Sequence, residues 1–380
     1  MTLDLLDTPA AIIDVRRMTT NIAAMQARMN ALGVKFRPHV KTSKCLDVVK
    51  AQIAAGAQGI AVSTLKEAET FFAAGITDIL YAVSIAPSKL ARVAALRQQG
   101  CDLKIIVDNT SAASGIVAFC QSTHETLEVW IEVDTDGHRS GITPEEDALL
   151  DIGRILHAGG VEVGGVLTHA GSSYELNTRE ALAALAEQER AGCMHAAERL
   201  RAAGIPCNTV SVGSTPTALA ARQLDGVTEV RAGVYAFFDL VMHNVGVCPI
   251  DDIALSVLTT VIGHQTDKGW VIVDAGWMAM SRDRGTSKQS HDFGYGLPCT
   301  LDGTPLEGFV LIGANQEHGI LAPIDANSAS HNADLKARFP VGTRLRILPN
   351  HACATGAQFP EYHALHPDGD LAVWPRFHGW

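Results

Sequence analysis

The chain is predicted to be an α/β protein, a (β/α)8 TIM-like barrel followed by a C-terminal all-β domain, on three observations. Short apolar runs alternate with amphipathic helical stretches eight times, several of those helices are closed by glycine, and the alternation stops near Met242. The strand candidates are Lys35–Val40, Gly59–Ser63, Ile79–Ser84, Leu103–Val107, Val129–Val133, Val163–Thr168, Thr209–Val212 and Glu229–Val234. Helical patterns between them include Thr64–Ala74, Pro87–Gln99, Glu145–Ala158 and Arg179–Ala203. Gly75, Gly100, Gly159 and Gly204 stand where a left-handed C′ residue ends a helix. A doubly wound open sheet is the alternative arrangement of the same elements. Beyond Met242 the runs Ala254–His264, Gly269–Asp274, Gly308–Gly313 and Thr343–Pro349 are β-rich, with Asp302-Gly303 as a turn signal. The expected bounds are therefore 9–241 for the barrel and 242–380 for the β domain, which residues 1–8 could join. The polar, mixed-charge loop Ser281–Tyr295 is expected to be the most mobile part.

Composition narrows the function. With 47% apolar and 19% charged residues, the 380-residue chain can bury a large core. A net charge of −11 argues against nucleic acid or an anionic membrane as partner, since either needs a basic face. The acidic segment Met1–Pro9 has no signal-peptide features and no run approaches a membrane span, so a cytoplasmic location is expected. The eight cysteines have no paired spacing and read as free thiols.

Polar residues gather where the barrel strands end. The first strand leads into His39 and Lys41, a placement that suggests a covalent cofactor anchor, although a lone lysine is more often a solvated loop residue. The fifth ends in Asp134, Asp136, His138 and Arg139, and the sixth in Thr168, His169, Ser172, Ser173 and Tyr174. Arg139 reads either as a surface charge or as a partner of an anionic ring oxygen, and Tyr174 as a donor to a ring nitrogen or a cap on the core. The seventh and eighth strands run into Gly213-Ser214-Thr215 and Gly233-Val234-Tyr235, where small residues and hydroxyls suit a phosphate group. Far downstream, His351 and Cys353 lie two residues apart. On an extended segment both would point to one face, and together they favour zinc or a similar ion.

These residues carry a resemblance. Thr8-Pro9, Arg37 to Thr42, Asp134 to Gly141, His169 to Gly171 with Ser173-Tyr174, Gly213 to Thr217, Glu229 to Tyr235, Val273 to Gly276, Gln316 to Gly319 and His351 to Cys353 follow one family pattern in order, nearly end to end. The chain resembles the fold-type III pyridoxal-phosphate enzymes, distantly similar to alanine racemase, that include D-serine dehydratase, D-threonine aldolase and D-threo-3-hydroxyaspartate dehydratase. The resemblance implies that Lys41 is the Schiff-base lysine, that Arg139 faces the cofactor's phenolic oxygen and that Tyr174 stands near the pyridine nitrogen. It also implies that Ser214, Thr215, Gly233 and Tyr235 hold the phosphate, that His39 and His169 complete the cofactor shell, and that His351 and Cys353 bind a divalent cation (Zn, Mn, Co or Mg). The anchor departs from the commoner pattern, which has histidine where Ser43 stands.

Members with His-x-Cys at the metal motif tend to be dehydratases, and those with His-x-Asp aldolases. The resemblance therefore implies dehydration of β-hydroxy D-amino acids, foremost D-threo-3-hydroxyaspartate to oxaloacetate and ammonia, with D-serine to pyruvate beside it. Aldol cleavage is the next alternative, then racemisation, for which Tyr295 and Tyr362 are the only tyrosines in the second domain, then a non-catalytic pyridoxal-phosphate-binding protein. Arg282, Arg284, Lys288 and His318 are all open as receivers of a distal carboxylate. A homodimer is expected from the fold type.

Overall fold

A computed structural model describes residues 3–324 and 335–380. It divides into two compact units, one of residues 23–233 with 379–380 and one of residues 1–22 with 234–378. The first unit holds the eight parallel strands: Lys35–Pro38, Ile60–Val62, Asp78–Ser84, Asp102–Val107, Glu128–Val133, Glu162–Thr168, Thr209–Val212 and Glu229–Ala232. Each pairs with its neighbour in parallel register, and the first pairs with the eighth, Arg37 opposite Arg231. The remaining seam, between the first and second strands, is closed by a bridge from His39 to Ala61, with Val40 N–H donating to the Ala61 carbonyl at 2.9 Å. The closed ring rules out the open sheet.

Strand alternation then sorts the side chains. Arg37, Asp78, Lys104 and Glu229 share one parity and meet across strands: Arg37 donates to Asp78 and Glu229, each at 2.8 Å, and Lys104 reaches Asp78 at 2.6 Å. Residues on strands that are not neighbours can meet only through the barrel interior. One step up the same face come Ala61, Leu80, Ile106, Trp130 and Leu167, a buried apolar layer. Above that layer the parity delivers Ser84, Glu132, His39, Gly213 and Gly233 to the C-terminal ends of the strands. The barrel thus has a charged floor, an apolar middle and a polar mouth.

Three of the four expected glycine caps take left-handed φ, at Gly75, Gly100 and Gly204. At the fourth, Gly159 keeps φ −78° and Gly160 takes +76°. Gly159 serves packing instead, since a Cβ there would lie 2.5 Å from Val117.

The second unit is built on a nine-stranded sheet. Its long strand Leu255–Gln265 pairs with Ala10–Asp14, Trp270–Val273 and Arg344–Leu348, and Ala10–Asp14 continues to Glu361–Leu365 and Leu371–Pro375. Leu297–Cys299, Phe309–Ala314 and Gly319–Pro323 complete it. Ala10–Asp14 is a strand of this sheet, and residues 1–22 group with the second unit, which resumes at Val234. Short helices at Leu240–Val245, Trp277–Met280, Leu335–Arg338 and Ala352–Gly356 make the unit mostly rather than wholly β. No described helix is long and apolar enough to cross a membrane.

Candidate functional site

In the barrel unit, five cofactor candidates, His39, Lys41, Arg139, His169 and Tyr174, lie at the ends of the strands. The Lys41 backbone N–H lies 3.5 Å from His39 Nδ1, and the charges of Lys41, Arg139, Arg231 and the neighbouring His169 all bear on His39. Burial first, and then these cations, push His39 well below its ordinary range and hold His169 at about 3. Both imidazoles are neutral at physiological pH. His169 Nδ1 is 3.1 Å from the Gly213 carbonyl, which can only accept, so Nδ1 carries the proton and Nε2 is the acceptor. Arg139 is exposed on its loop, and Tyr174 lies in the turn Gly171–Glu175, its ring 6.4 Å from that of His169. Asp136 fastens these two loops by accepting from the Ser172 N–H and hydroxyl, both at 2.8 Å.

The turn after the seventh strand has the form of an anion cup. Gly213 takes φ +130°, and a Cβ there would lie 2.2 Å from the Arg231 carbonyl, so the position admits only glycine. Ser214 caps the following helix through a reciprocal box with Thr217 and lies 2.9 Å from Ser173 Oγ. Thr215 Oγ1 is buried with no hydrogen-bond partner, a hydroxyl awaiting an acceptor such as a phosphate oxygen. Gly233 brings backbone close to backbone, as a Cβ there would stand 3.0 Å from the His39 carbonyl. Tyr235, two residues on, is buried in the turn Val234–Ala236 of the other unit. The orphaned Thr215 hydroxyl suits a phosphate oxygen, and the Lys41 amine, near enough for its charge to bear on both imidazoles, suits a covalent anchor.

The sequence sets Arg231 at the end of the eighth strand without giving it a role in the site. Arg231 is 5% exposed and donates to Ser211 Oγ at 2.6 Å and to the Thr168 carbonyl at 2.5 Å. Ser211 passes the contact to Glu229 at 2.8 Å, and Glu229 to Arg37, so the guanidinium is wired to the floor of the barrel.

In the β unit, His351 and Cys353 come together by a different geometry from the one expected. His351 has extended dihedrals as the N-cap residue and Cys353 is already in the helix Ala352–Gly356, so a strand-to-helix corner, not a shared strand face, sets their spacing. His351 Nδ1 is 2.6 Å from Asp283 Oδ2, which leaves Nε2 for a cation, the usual carboxylate–histidine–metal arrangement. Burial alone would lower the His351 pKa, but the Cys353 sulfur and the carboxylates of Asp283 and Asp239 outweigh it and raise it to about 11. Asp239 holds the corner by accepting from Ala352 N–H at 2.9 Å and from Met242 N–H at 2.9 Å. Asn350 fastens the loop expected to be mobile, donating to the Asp283 and Gly294 carbonyls at 3.1 and 2.8 Å and accepting from Thr286. Of the eight cysteines only Cys353 is partly exposed. Among the described residues no group of three or more His, Cys, Asp or Glu side chains is placed to hold a metal ion.

The tyrosines open to a racemase are engaged elsewhere. Tyr362 is fully buried and accepts from Arg376 at 3.1 Å, and Tyr295 lies beneath the Arg284 guanidinium. Among the distal-carboxylate candidates, Arg284 is already paired with Asp292 at 2.9 Å, Arg282 stacks on Trp277, and Lys288 and His318 are exposed.

A profile of the alanine racemase N-terminal domain matches residues 13–241, and one of a serine dehydratase domain matches residues 254–365. The chain is 68% identical to D-threo-3-hydroxyaspartate dehydratase of Delftia sp. over 100% of this chain and 99% of the relative. The solved structure of that enzyme superposes with a TM-score of 0.98 and covers all of both chains. Variants of it, an H351A mutant and a C353A mutant in the metal-free form, match equally well, each at a TM-score of 0.98. D-serine dehydratase of Dictyostelium discoideum is 29% identical, over 96% of this chain and 95% of that one. D-threonine aldolase of Arthrobacter sp. is also 29% identical, over 92% and 86%. This chain belongs to the family of fold-type III pyridoxal-phosphate enzymes, alanine racemase-like in fold, that groups the D-serine dehydratases with the D-threonine aldolases.

Proposed function

We propose that the chain is a pyridoxal-phosphate- and divalent-metal-dependent carbon–oxygen lyase that dehydrates β-hydroxy D-amino acids. D-threo-3-hydroxyaspartate, converted to oxaloacetate and ammonia, is the leading substrate and D-serine, converted to pyruvate, a second. The observation that carries the reading is the end-to-end 68% identity with the Delftia dehydratase, whose variants are named for alanine at 351 and 353.

The residues divide the work. Pyridoxal phosphate, when bound, supplies the electron sink for negative charge at the substrate's Cα. Lys41 would anchor it, and its ε-amine, when free, would take the Cα proton. Ser214, Thr215, Gly233 and Tyr235 would hold the phosphate, Arg139 would answer the phenolic oxygen and Tyr174 would serve the pyridine nitrogen. His39 and His169 are neutral, so they fill and orient without adding charge. A cation held by His351 and Cys353 supplies Lewis acidity toward the β-hydroxyl. Asp283 keeps the imidazole in the tautomer that ligation needs. Zinc suits this His and Cys pair, and we propose a homodimer located in the cytoplasm.

The test is steady-state keto-acid release from a panel of β-hydroxy D-amino acids with and without a chelator. Oxaloacetate and ammonia from D-threo-3-hydroxyaspartate, abolished by chelation and restored by metal, are expected. Glyoxylate and glycine from the same substrate would make the enzyme an aldolase, and full activity after chelation would remove the cation from the reaction.

A further inference from the structure

The helix Arg179–Ala202 turns an apolar stripe inward through Leu182, Ala186, Cys193, Ala197 and Leu200, and in the middle of that stripe stands one acid, Glu189. A residue at this position of an amphipathic helix is ordinarily apolar, because a buried carboxylate forfeits its hydration. Glu189 is 1% exposed. Its Oε1 accepts from the Ala170 N–H at 3.1 Å and from the Gly213 N–H at 2.9 Å, and the Thr217 hydroxyl bonds to the same carboxylate. Ala170 follows His169, and Gly213 opens the turn carrying Ser214 and Thr215. One side chain therefore ties together the two strand-end turns that present the neutral imidazole and the orphaned hydroxyl.

We propose that Glu189 is a positioning residue for cofactor capture: it fastens the His169 turn to the Gly213–Thr215 turn, and the cofactor's phosphate is held tightly only while that bridge is intact. The inference rests on reading Gly213–Thr215 as the phosphate cup. The bridge also gives capture a pH dependence. The titratable and charged groups facing Glu189 are Arg231 from the eighth strand and Cys193 from its own helix, whose thiol burial raises far out of the physiological range. Burial lifts Glu189 to about 7, against the lowering effect of its hydrogen bonds. A phosphate bound at the same turn adds negative charge, so capture favours the protonated carboxyl and weakens as pH rises through about 7.

The experiment titrates pyridoxal phosphate into full-length apoprotein at pH 6, 7 and 8.5, with the apoprotein melting temperature measured alongside. Glu189→Ala is expected to weaken cofactor binding about tenfold or more, because both N–H groups lose their shared acceptor. Glu189→Gln keeps an acceptor for both N–H groups without ionising. It is expected to bind within about threefold of wild type at pH 6 and to lose wild type's weakening toward pH 8.5. Glu189→Ala that melts earlier yet binds the cofactor like wild type would reduce the residue to a structural one and overturn the proposal. Should Glu189→Ala fail to fold, Glu189→Gln decides alone, and a pH profile parallel to wild type overturns it. Wild-type protein that takes up no cofactor at any pH would instead overturn the phosphate-cup reading.

Discussion

Two histidines of this chain lie at opposite extremes. His169, at the mouth of the barrel, is held at about 3, and His351, at the corner of the β unit, is raised to about 11. Burial lowers both, so the neighbours make the difference. Lys41, Arg139 and Arg231 surround the first, whereas Cys353, Asp283 and Asp239 surround the second. The barrel mouth is a cationic setting around neutral imidazoles and suits an anionic cofactor. The corner is an anionic setting around an imidazole and suits a cation. The fold has built two sites of opposite charge preference from the same side-chain type.

If the two sites are distinct in this way, a substitution in one should spare the ligand of the other. The largest effect is expected for Lys41→Ala. It removes the anchor and the base together, so turnover falls by about 10⁴-fold or more and the visible absorbance of lysine-bound cofactor disappears, while the metal content stays at wild type. Cys353→Ala is the converse. Absorbance is kept, the metal is lost on dialysis and elimination falls by about 10³-fold, as chelation of wild type should reproduce. Loss of the cofactor spectrum in Cys353→Ala, or of metal in Lys41→Ala, would break the comparison. Asp283→Asn sharpens it, because the amide still approaches His351 but no longer fixes its tautomer by charge. Metal affinity should drop about 10–100-fold with cofactor affinity unchanged. Metal titration of the variant, read beside its absorbance spectrum, checks both halves.

The sites differ as much in how legible they were. All eight barrel strands and the placement of Lys41, His169 and Gly213 follow from hydrophobic periodicity and turn residues, which are local properties. The polar interior was not legible. Arg231, Glu229 and Arg37 stand in strands whose alternation does not say which face is inside, and closure of the barrel decides it. Glu189 left a readable trace, a single acid on an apolar helical stripe, whose meaning required the Ala170 and Gly213 amides. In the β unit the His-x-Cys motif was visible, but Asp283 and Asn350 looked like ordinary loop residues. The strands Ala10–Asp14 and Glu361–Leu365 also escaped, the first because its partners lie more than 240 residues away and the second because Glu361 and His363 blur its apolar pattern. Pairing over such separations is set by tertiary packing rather than by local propensity.

The smallest expected effect tests the suppressed ionisation of His169, which burial causes first and the surrounding cations second. His169 has a folded-state pKa of about 3, against about 6.5 when unfolded, so between those values the unfolded chain binds a proton that the native protein refuses. The contribution is therefore fully present above pH 6.5 and is lost progressively as pH falls toward 3. His169→Asn retains a donor for the Gly213 carbonyl but cannot ionise. Denaturant unfolding of the apoproteins should show wild type losing about 2 kcal/mol more than the variant between pH 7 and pH 5, with the residual slope shared through His39 and the carboxylates. Parallel stability curves would mean that His169 ionises as readily in the native protein as in the unfolded chain. Neither burial nor the cations at the barrel mouth would then hold it neutral, and the contrast with His351 would fail on the barrel side.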